Sequence, residues 1–420
     1  MTRTLHLAVA LDGTGWHPAA WREPTARPDA LFTPGYWAAL VATAEDAGID
    51  FVTIEDSFAL QSAAPGTADD RVDQVRGRLD ALLIASYLAP LTSRIGLVPT
   101  VTATHTEPFH VATGLQTLDF ASEGRAGWRI QVSASTADAA LVGRRTVPAI
   151  DLEAYRRGEA QEVIQELFDE AGDVVEVVRR LWDSWEDDAI VRDAANGRFL
   201  DGSKLHYADF EGRFFSVKGA SITPRSPQGQ PLVSALAHAT IPYELAAQHA
   251  DVVYITPHSP EHLAEILAEV RDAEERLRPA GRPALLVYAD LVVLLENEQA
   301  DAERALTALD DLAGAPLTSD ALVVAGTPSA LVERLLDGQR RGLDGFRLRP
   351  ARLPADLDAI AHDLVPALEA AGVRTPVSPR AARDPRTLRE VLGFERPENL
   401  FTAATERAPE SASSSTEVHA

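Results

Sequence analysis

The chain contains no cysteine among its 420 residues. Disulfides, thiolate metal sites and a cysteine nucleophile are therefore excluded. Long apolar runs are absent too: the N-terminal run from Leu5 to Leu11 stops at Asp12, and no run approaches the ~18 residues of a membrane span. These absences predict a cytoplasmic protein without a membrane segment.

Lysine is nearly missing, with only Lys204 and Lys218, and acidic residues prevail. The 39 Lys and Arg residues against 63 Asp and Glu residues give a net charge of −24. Such acidity disfavours a nucleic-acid partner or an anionic membrane surface, and its simplest role is solubility. A hydrophobic content of 45% is that of a globular chain with a large core.

Apolar runs alternate with helical patterns along the chain. Strands are predicted at 5–11, 50–56, 94–104, 125–133, 231–236, 251–256, 284–295 and 344–350. Helices are predicted at 32–49, 72–91, 107–122, 258–277, 298–312 and 328–341. Eight buried strands separated by helices favour an α/β fold, a closed (β/α)8 TIM barrel, over an open doubly wound sheet.

Such a barrel needs roughly 250 residues, and the excess falls in two places. Residues 134–230 are predicted to be a large insertion after strand four, with a hairpin strand at 212–219. The chain after 350 is a C-terminal extension. We predict one domain over 1–400 and a disordered, Ser-rich tail over 401–420.

Familiar cofactor and nucleophile motifs are missing. Gly13-Thr14-Gly15 follows the first strand but lacks the third glycine of a dinucleotide fingerprint. No P-loop, HExxH or GxSxG sequence occurs, and the first strand carries His6 without the second histidine of a metal-binding HxH pair. We therefore predict no metal site.

The catalytic mouth of this fold lies at the C-terminal ends of the strands. Hydroxyls, histidines and carboxylates follow those ends here: His17, Asp56, Thr102, Thr104, His105 and Ser133. No nucleophile–base pair is evident, so the pattern suits a cofactor that brings its own reactivity. The alternative for each residue is that it caps a following helix.

Seven segments, in the order 17–24, 104–112, 118–133, 181–193, 201–219, 344–350 and 387–397, carry a family resemblance. They resemble the bacterial luciferase-like flavin monooxygenases, in particular the branch of nitrilotriacetate, pristinamycin-synthase and dibenzothiophene-sulfone monooxygenases. The most specific segment is LWDSWEDDA, within 181–193.

The resemblance implies a luciferase-type barrel that binds reduced FMN at its mouth. A separate NAD(P)H-dependent flavin reductase would supply the FMN, and one atom of O2 would enter a small organic substrate. It also implies a homo-oligomer. Because water would destroy an oxygenated flavin, residues 134–230 are expected to cover the mouth. His17 and His105 are the candidate catalytic residues.

The resemblance places the flavin near Asp56, Thr102 and Thr104, and His105 stands where many members have Tyr. Departures begin on strand four, where the family signature GWNxVTS is replaced by the sequence of residues 127–133. Arg129 replaces Asn there, while Ser133 is kept.

At 234–242 this chain has SALAHATIP where the family has its phosphate-binding segment QAGxSxxGR. It has Leu167-Phe168 where the family has an Arg-Tyr pair. Three hypotheses stay open. In the first, FMN is held by residues that replace the missing phosphate ligands, such as Arg129, His238 and Thr240. In the second, the cofactor is deazaflavin F420 in an oxidoreductase of the same superfamily. In the third, the barrel binds a flavin or another ligand without catalysis.

Strand alternation directs Arg129, Gln131 and Ser133 into the barrel. A buried guanidinium without an anion is costly. Arg129 is therefore expected to meet either a carboxylate, Asp56 or Glu55, or the phosphate of a ligand.

Overall fold

A computed structural model describes residues 4–62, 70–148, 161–376 and 386–402. Eight parallel strands close into a barrel, because each pairs with its neighbour and the last pairs with the first. In barrel order they are β1 His6–Leu11, β2 Phe51–Ile54, β3 Gly96–Thr102, β4 Gly127–Gln131, β9 Leu232–Leu236, β10 Val252–Ile255, β11 Leu286–Leu295 and β13 Gly345–Pro350. The predicted TIM barrel and its eight strands are confirmed.

Within the described ranges, five further strands lie outside the closed barrel: β5 Ile190–Asp193, β6 Arg198–Leu200, β7 Phe210–Glu211, β8 Ser216–Val217 and β12 Leu322–Gly326. β5–β6 and β7–β8 are antiparallel hairpins, the second at the predicted hairpin position. β12 extends the sheet by pairing with the C-terminal half of β11, from Leu291 to Leu295. The sequence pattern did not predict β12.

The helices are α1 Pro34–Asp46, α2 Ala81–Leu88, α3 Pro108–Ala121, α4 Thr136–Val142, α5 Gln161–Trp182, α6 Thr240–His249, α7 Pro260–Leu277, α8 Gln299–Ala313, α9 Pro328–Arg340, α10 Ala355–Ala359, α11 Val365–Ala370 and α12 Leu388–Val391. The prediction of a helix over 72–91 is too long, because Asp80 caps α2 by accepting a hydrogen bond from the Leu83 N–H. Helix α6 was not predicted.

The lower half of the barrel interior is apolar. Phe51, Val98, Leu232 and Tyr254 pack there against Leu388 and its neighbours from the C-terminal extension. Leu388 is 1% exposed, so the extension closes the N-terminal end of the barrel. This packing leaves the opposite end, where the strands finish, as the open mouth.

The described residues of 134–230 do not all lie over the mouth. Helix α5 packs between α3 and α6 as one of the barrel's outer helices. Both ends of the segment after α5 lie at the closed end: the Gln228 N–H bonds to Asp119 near the C-terminus of α3, and the Asn399 amide bonds to the Asp183 carbonyl. The expectation of a cover is therefore wrong for these two ends. The hairpin β7–β8 between them runs back along α5, where Arg213 pairs with Glu166 at 3.1 Å.

Of the tail predicted over 401–420, residues 403–420 lie outside the described residues, and Phe401 and Thr402 are helical together with Leu400. In the part of the chain that is described, no helix is both long enough and apolar enough to cross a membrane.

Candidate functional site

A cluster of charged side chains fills the barrel interior just below the mouth. Arg347, fully buried, donates to Glu55 at 3.0 Å and to Asp290 at 2.9 Å. Its guanidinium also lies 4.3 Å from the ring centre of Tyr254. We call this set the interior charge cluster, and its members are Glu55, Arg129, Asp290, Asp320, Arg347 and Arg349.

Arg129 meets a carboxylate in this cluster. Its guanidinium donates to Glu55 and, at 3.1 Å, to Gln131. Burial alone would raise the pKa of Glu55, but Arg129 and the two neighbouring guanidiniums outweigh it and lower that pKa to about 2. Of the partners foreseen for Arg129, the structure shows Glu55. Asp56 points elsewhere.

Asp56 joins the end of β2 to the start of α2. Its carboxylate accepts hydrogen bonds from the Ser57 N–H at 2.7 Å and the Ala81 N–H at 2.9 Å. Burial raises its pKa above the ordinary value. Its contacts in the structure are those of a helix cap, although Asp56 also lines the cleft described next.

An open cleft of about 400 Å3 lies at the mouth beside β2 and β3. Ser57, Thr100, Thr102 and Thr106 give it hydroxyls, and Phe58, Leu82, Val101 and Val111 give it an apolar wall. The Thr100 hydroxyl is buried and has no hydrogen-bond partner among the described residues. Polar groups within an apolar cleft of this size are typical of a small-molecule site.

His105 follows β3 in a strained conformation. Its φ of +69° lies in the left-handed region, which side chains other than glycine rarely adopt. Neither ring nitrogen has a hydrogen-bond partner in the described structure, and the ring lies 6.2 Å from that of Phe58. Burial, with Arg145 nearby, lowers the pKa of His105. Strain together with unused polar atoms is characteristic of a functional position.

Thr104 and Ser133 are brought together beside His105. The Ser133 N–H donates to the Thr104 hydroxyl at 3.0 Å, and the Ser133 hydroxyl donates to Asp138 at 2.8 Å. All three side chains are buried. The contact fixes the ends of β3 and β4 relative to each other, so it sets the shape of the mouth.

His17 lies in the loop after β1, and its N–H donates to the Ala351 carbonyl beyond the end of β13. Its Nδ1 accepts a hydrogen bond from the Ala19 N–H at 3.1 Å, and its Nε2 is 3.1 Å from Asp310 on α8. The residue is 1% exposed, and burial lowers its pKa. These contacts anchor the loop after β1 to α8 and engage both ring nitrogens of His17.

His238 follows β9 on the other side of the mouth. Its Nδ1 is 3.0 Å from the Thr256 hydroxyl, and its Nε2 is 3.4 Å from Asp320 of the interior charge cluster. Helix α6 begins two residues later, and its N-cap, Ala239, offers no side-chain acceptor. The first N–H groups of an uncapped helix are suitable donors to an anion.

Sequence reasoning missed four members of the interior charge cluster: Asp290, Asp320, Arg347 and Arg349. The signal was present for three of them, because β11 and β13 are otherwise apolar strands that carry Asp290, Arg347 and Arg349 on their inward positions. Charges in buried strands need partners on the same face. Asp320 lies just before β12, and nothing in its local sequence places it there.

Known proteins similar to this chain share its sequence pattern and its fold. A family model described as "Luciferase-like monooxygenase" matches residues 14–345. N-acetyl-S-(2-succino)cysteine monooxygenase of Bacillus subtilis (strain 168) is 27% identical, over 95% of this chain and 98% of that protein. Nitrilotriacetate monooxygenase component A of Aminobacter aminovorans is also 27% identical, over 94% and 98%.

Solved structures give the same fold. A long-chain alkane monooxygenase superposes with a TM-score of 0.81 at 21% identity, covering 96% of this chain and all of the other. A riboflavin lyase holding a modified FMN gives 0.77 at 23%, over 94% and 97%. An F420-dependent secondary alcohol dehydrogenase gives 0.59 at 14%, over 88% and 99%.

Proposed function

The chain belongs to the luciferase-like monooxygenase family, and from this premise we propose that it is a two-component monooxygenase that uses reduced FMN and O2 to oxygenate a small organic substrate. Family membership gives the monooxygenase class. The observation that supports a functional site at the mouth of this chain is the conformation of His105. Its backbone is strained, and its two ring nitrogens have no hydrogen-bond partner in the described residues beside the open cleft.

The residues at the mouth fit a flavin. The unpartnered hydroxyl of Thr100 and the ring nitrogens of His105 are polar atoms that a heterocycle can satisfy. Thr102 and the apolar wall of the cleft would hold the ring system. The uncapped start of α6, with His238 beside it, would hold the phosphate.

Reduced FMN, delivered by a separate reductase, would supply the electrons that activate O2. The chain's own residues provide position and shielding. His105 is neutral near pH 7, because its pKa is lowered, so either ring nitrogen can accept or donate a hydrogen bond to a bound molecule. The Phe58 ring, 6.2 Å away, gives the His105 ring an apolar neighbour.

A second candidate, a barrel that binds a ligand without turnover, is favoured by one observation. Among the described residues, the guanidiniums that border the mouth already have carboxylate partners: Arg78 with Asp12 at 3.1 Å, Arg349 with Asp320 at 2.7 Å, and Arg129 with Glu55. None of them needs a phosphate to balance its charge.

Oxygen uptake tests the proposal. The purified chain, FMN, a flavin reductase and NADH are assayed with a panel of sulfides, amines and alkanes, and we expect substrate-dependent uptake above that of the reductase alone. His105→Asn, which tolerates positive φ, should fold normally and lose most of this increment. His362→Asn, on an exposed helix surface, is the matched control. Uptake that no substrate changes, or that His105→Asn leaves intact, would contradict the proposal.

A further inference from the structure

Two polar side chains stand next to each other where β3 and β4 end. Thr102 is the last residue of β3 and Gln131 the last residue of β4, and the two are partners in the parallel register of these strands. Neighbouring strands lie about 4.8 Å apart, so the two side chains can reach the same molecule. We call them the Thr102–Gln131 pair.

Both side chains point into the barrel. Alternation places Thr102 on the same face of β3 as Val98, which packs in the barrel interior. It places Gln131 on the same face of β4 as Arg129, which bonds to Glu55 in the interior charge cluster. The pair is therefore one inward position nearer the mouth than Arg129, beside the open cleft that Thr102 lines.

The Thr102 hydroxyl has no partner. The residue is only 6% exposed, yet its hydroxyl forms no hydrogen bond within the described part of the chain. The hydroxyls of Thr53, deeper in the barrel, and of Thr104, further out, are both hydrogen-bonded. Buried polar groups are normally satisfied, so an unused hydroxyl against a cleft indicates a place for a ligand atom.

Arg129 sets the orientation of the Gln131 carboxamide. Its Nη1 donates to Oε1 of Gln131 at 3.1 Å, and because a guanidinium can only donate, the amide oxygen must face it. The amide nitrogen is left on the other side, without an acceptor among the residues described. The family signature GWNxVTS has Asn where Arg129 stands and Val where Gln131 stands. The two replacements together present an oriented N–H donor that the signature lacks.

The chemistry of the pair matches one edge of a flavin ring. Atom N5 accepts a hydrogen bond in the oxidised ring and donates one in the reduced ring, whereas the neighbouring O4 accepts in both. A threonine hydroxyl can donate or accept, and an amide N–H can only donate. Thr102 therefore suits N5, and Gln131 suits O4. The apolar dimethylbenzene edge of the same ring suits the apolar wall of the cleft, which includes Phe58 and Leu82.

We propose that the Thr102 hydroxyl bonds to N5 and the Gln131 amide to O4 of the flavin, so that Thr102 distinguishes a flavin from a 5-deazaflavin. This inference rests on the proposed function. A 5-deazaflavin, the ring of F420, has carbon in place of N5 but keeps O4. It would leave the Thr102 hydroxyl without a partner while keeping the contact with Gln131.

Anaerobic calorimetric titration of the full chain with reduced FMN and with reduced 5-deaza-FMN tests the pair, because the two molecules differ only at position 5. One net hydrogen bond corresponds to about fivefold in affinity, so the wild type should prefer reduced FMN by about that factor. Thr102→Val, which keeps the shape of the side chain, should weaken binding of reduced FMN about fivefold and abolish the preference. Gln131→Met should weaken binding of both molecules about equally and keep the preference.

Thr307→Val is the matched control, because it makes the same change at an exposed position of α8 and should leave both affinities within about twofold. Circular dichroism checks that the variants fold. Equal affinity of the wild type for the two molecules, or an equal loss for both in Thr102→Val, would overturn the N5 contact while leaving flavin binding in place. Unchanged affinities in Gln131→Met would overturn the O4 contact. Binding of neither molecule by the wild type would overturn the inference together with the proposed function.

Discussion

Replacing Arg129 by methionine should destabilise the barrel rather than abolish flavin binding. The guanidinium is 7% exposed and Glu55 is 11% exposed, so the substitution leaves a buried carboxylate with one cation fewer. Breaking a buried ion pair from one side costs about 3–5 kcal/mol. Arg347 remains 3.0 Å from Glu55, so we expect the lower end of that range.

The pKa of Glu55 gives a magnitude of the same order, which Arg129 shares with Arg347 and Arg349. Its fall from an ordinary 4.5 to about 2 corresponds to about 3 kcal/mol, at about 1.36 kcal/mol per pKa unit. Because the folded-state pKa is the lower one, this stabilisation is complete above pH about 4.5 and is lost as the pH falls toward 2. The stability difference between wild type and Arg129→Met should therefore shrink over that interval.

Urea unfolding followed by tryptophan fluorescence at pH 7 measures this difference, and the double variant Arg129→Met, Glu55→Gln is its control. The double variant should recover much of the loss, because neither charge is then stranded. Affinity for reduced FMN should change less than threefold in Arg129→Met. Unchanged stability combined with tenfold weaker flavin binding would refute the reasoning and assign Arg129 to a ligand phosphate.

Three further substitutions test the rest of the structure. Leu388→Ala removes the main apolar side chain at the closed end and should cost about 2–5 kcal/mol in urea unfolding, without changing flavin affinity. Gly15→Ala should prevent folding, because its Cβ would lie 2.3 Å from the Ala351 carbonyl oxygen. Gly35→Ala is the control: this position on α1 faces open space, so the substitution should be tolerated. Circular dichroism distinguishes the two outcomes. His105→Gly should raise the unfolding free energy by up to about 1 kcal/mol as positive φ becomes unstrained, while oxygen uptake falls.

The barrel could be predicted because each of its strands is an apolar run bounded by turn residues. β12 escaped prediction because its residues Leu322 to Ala325 are only partly buried and pair along one edge. Helix α6 escaped because Pro242 lies in its first turn and its apolar residues form no clear stripe. A local sequence pattern reveals which residues are buried. Elements whose two faces differ little in burial are therefore missed.

The location of the candidate site could be predicted from the sequence, but only some of its side-chain contacts could. Alternation along β2 puts Thr53 and Glu55 on one face and Asp56 on the other, which could have selected Glu55 as the partner of Arg129. The position of 183–230 depends on contacts between distant residues, such as Asn399 with Asp183, which no local pattern encodes. The same holds for the anchoring of His17 by Asp310.

Anaerobic titration of the purified chain with reduced FMN, run beside an identical titration with reduced F420, tests the central claim most directly. The account predicts saturable binding of reduced FMN that is at least tenfold tighter than that of F420, and that His105→Asn weakens. Preference for F420, or no saturable binding of reduced FMN, would contradict it.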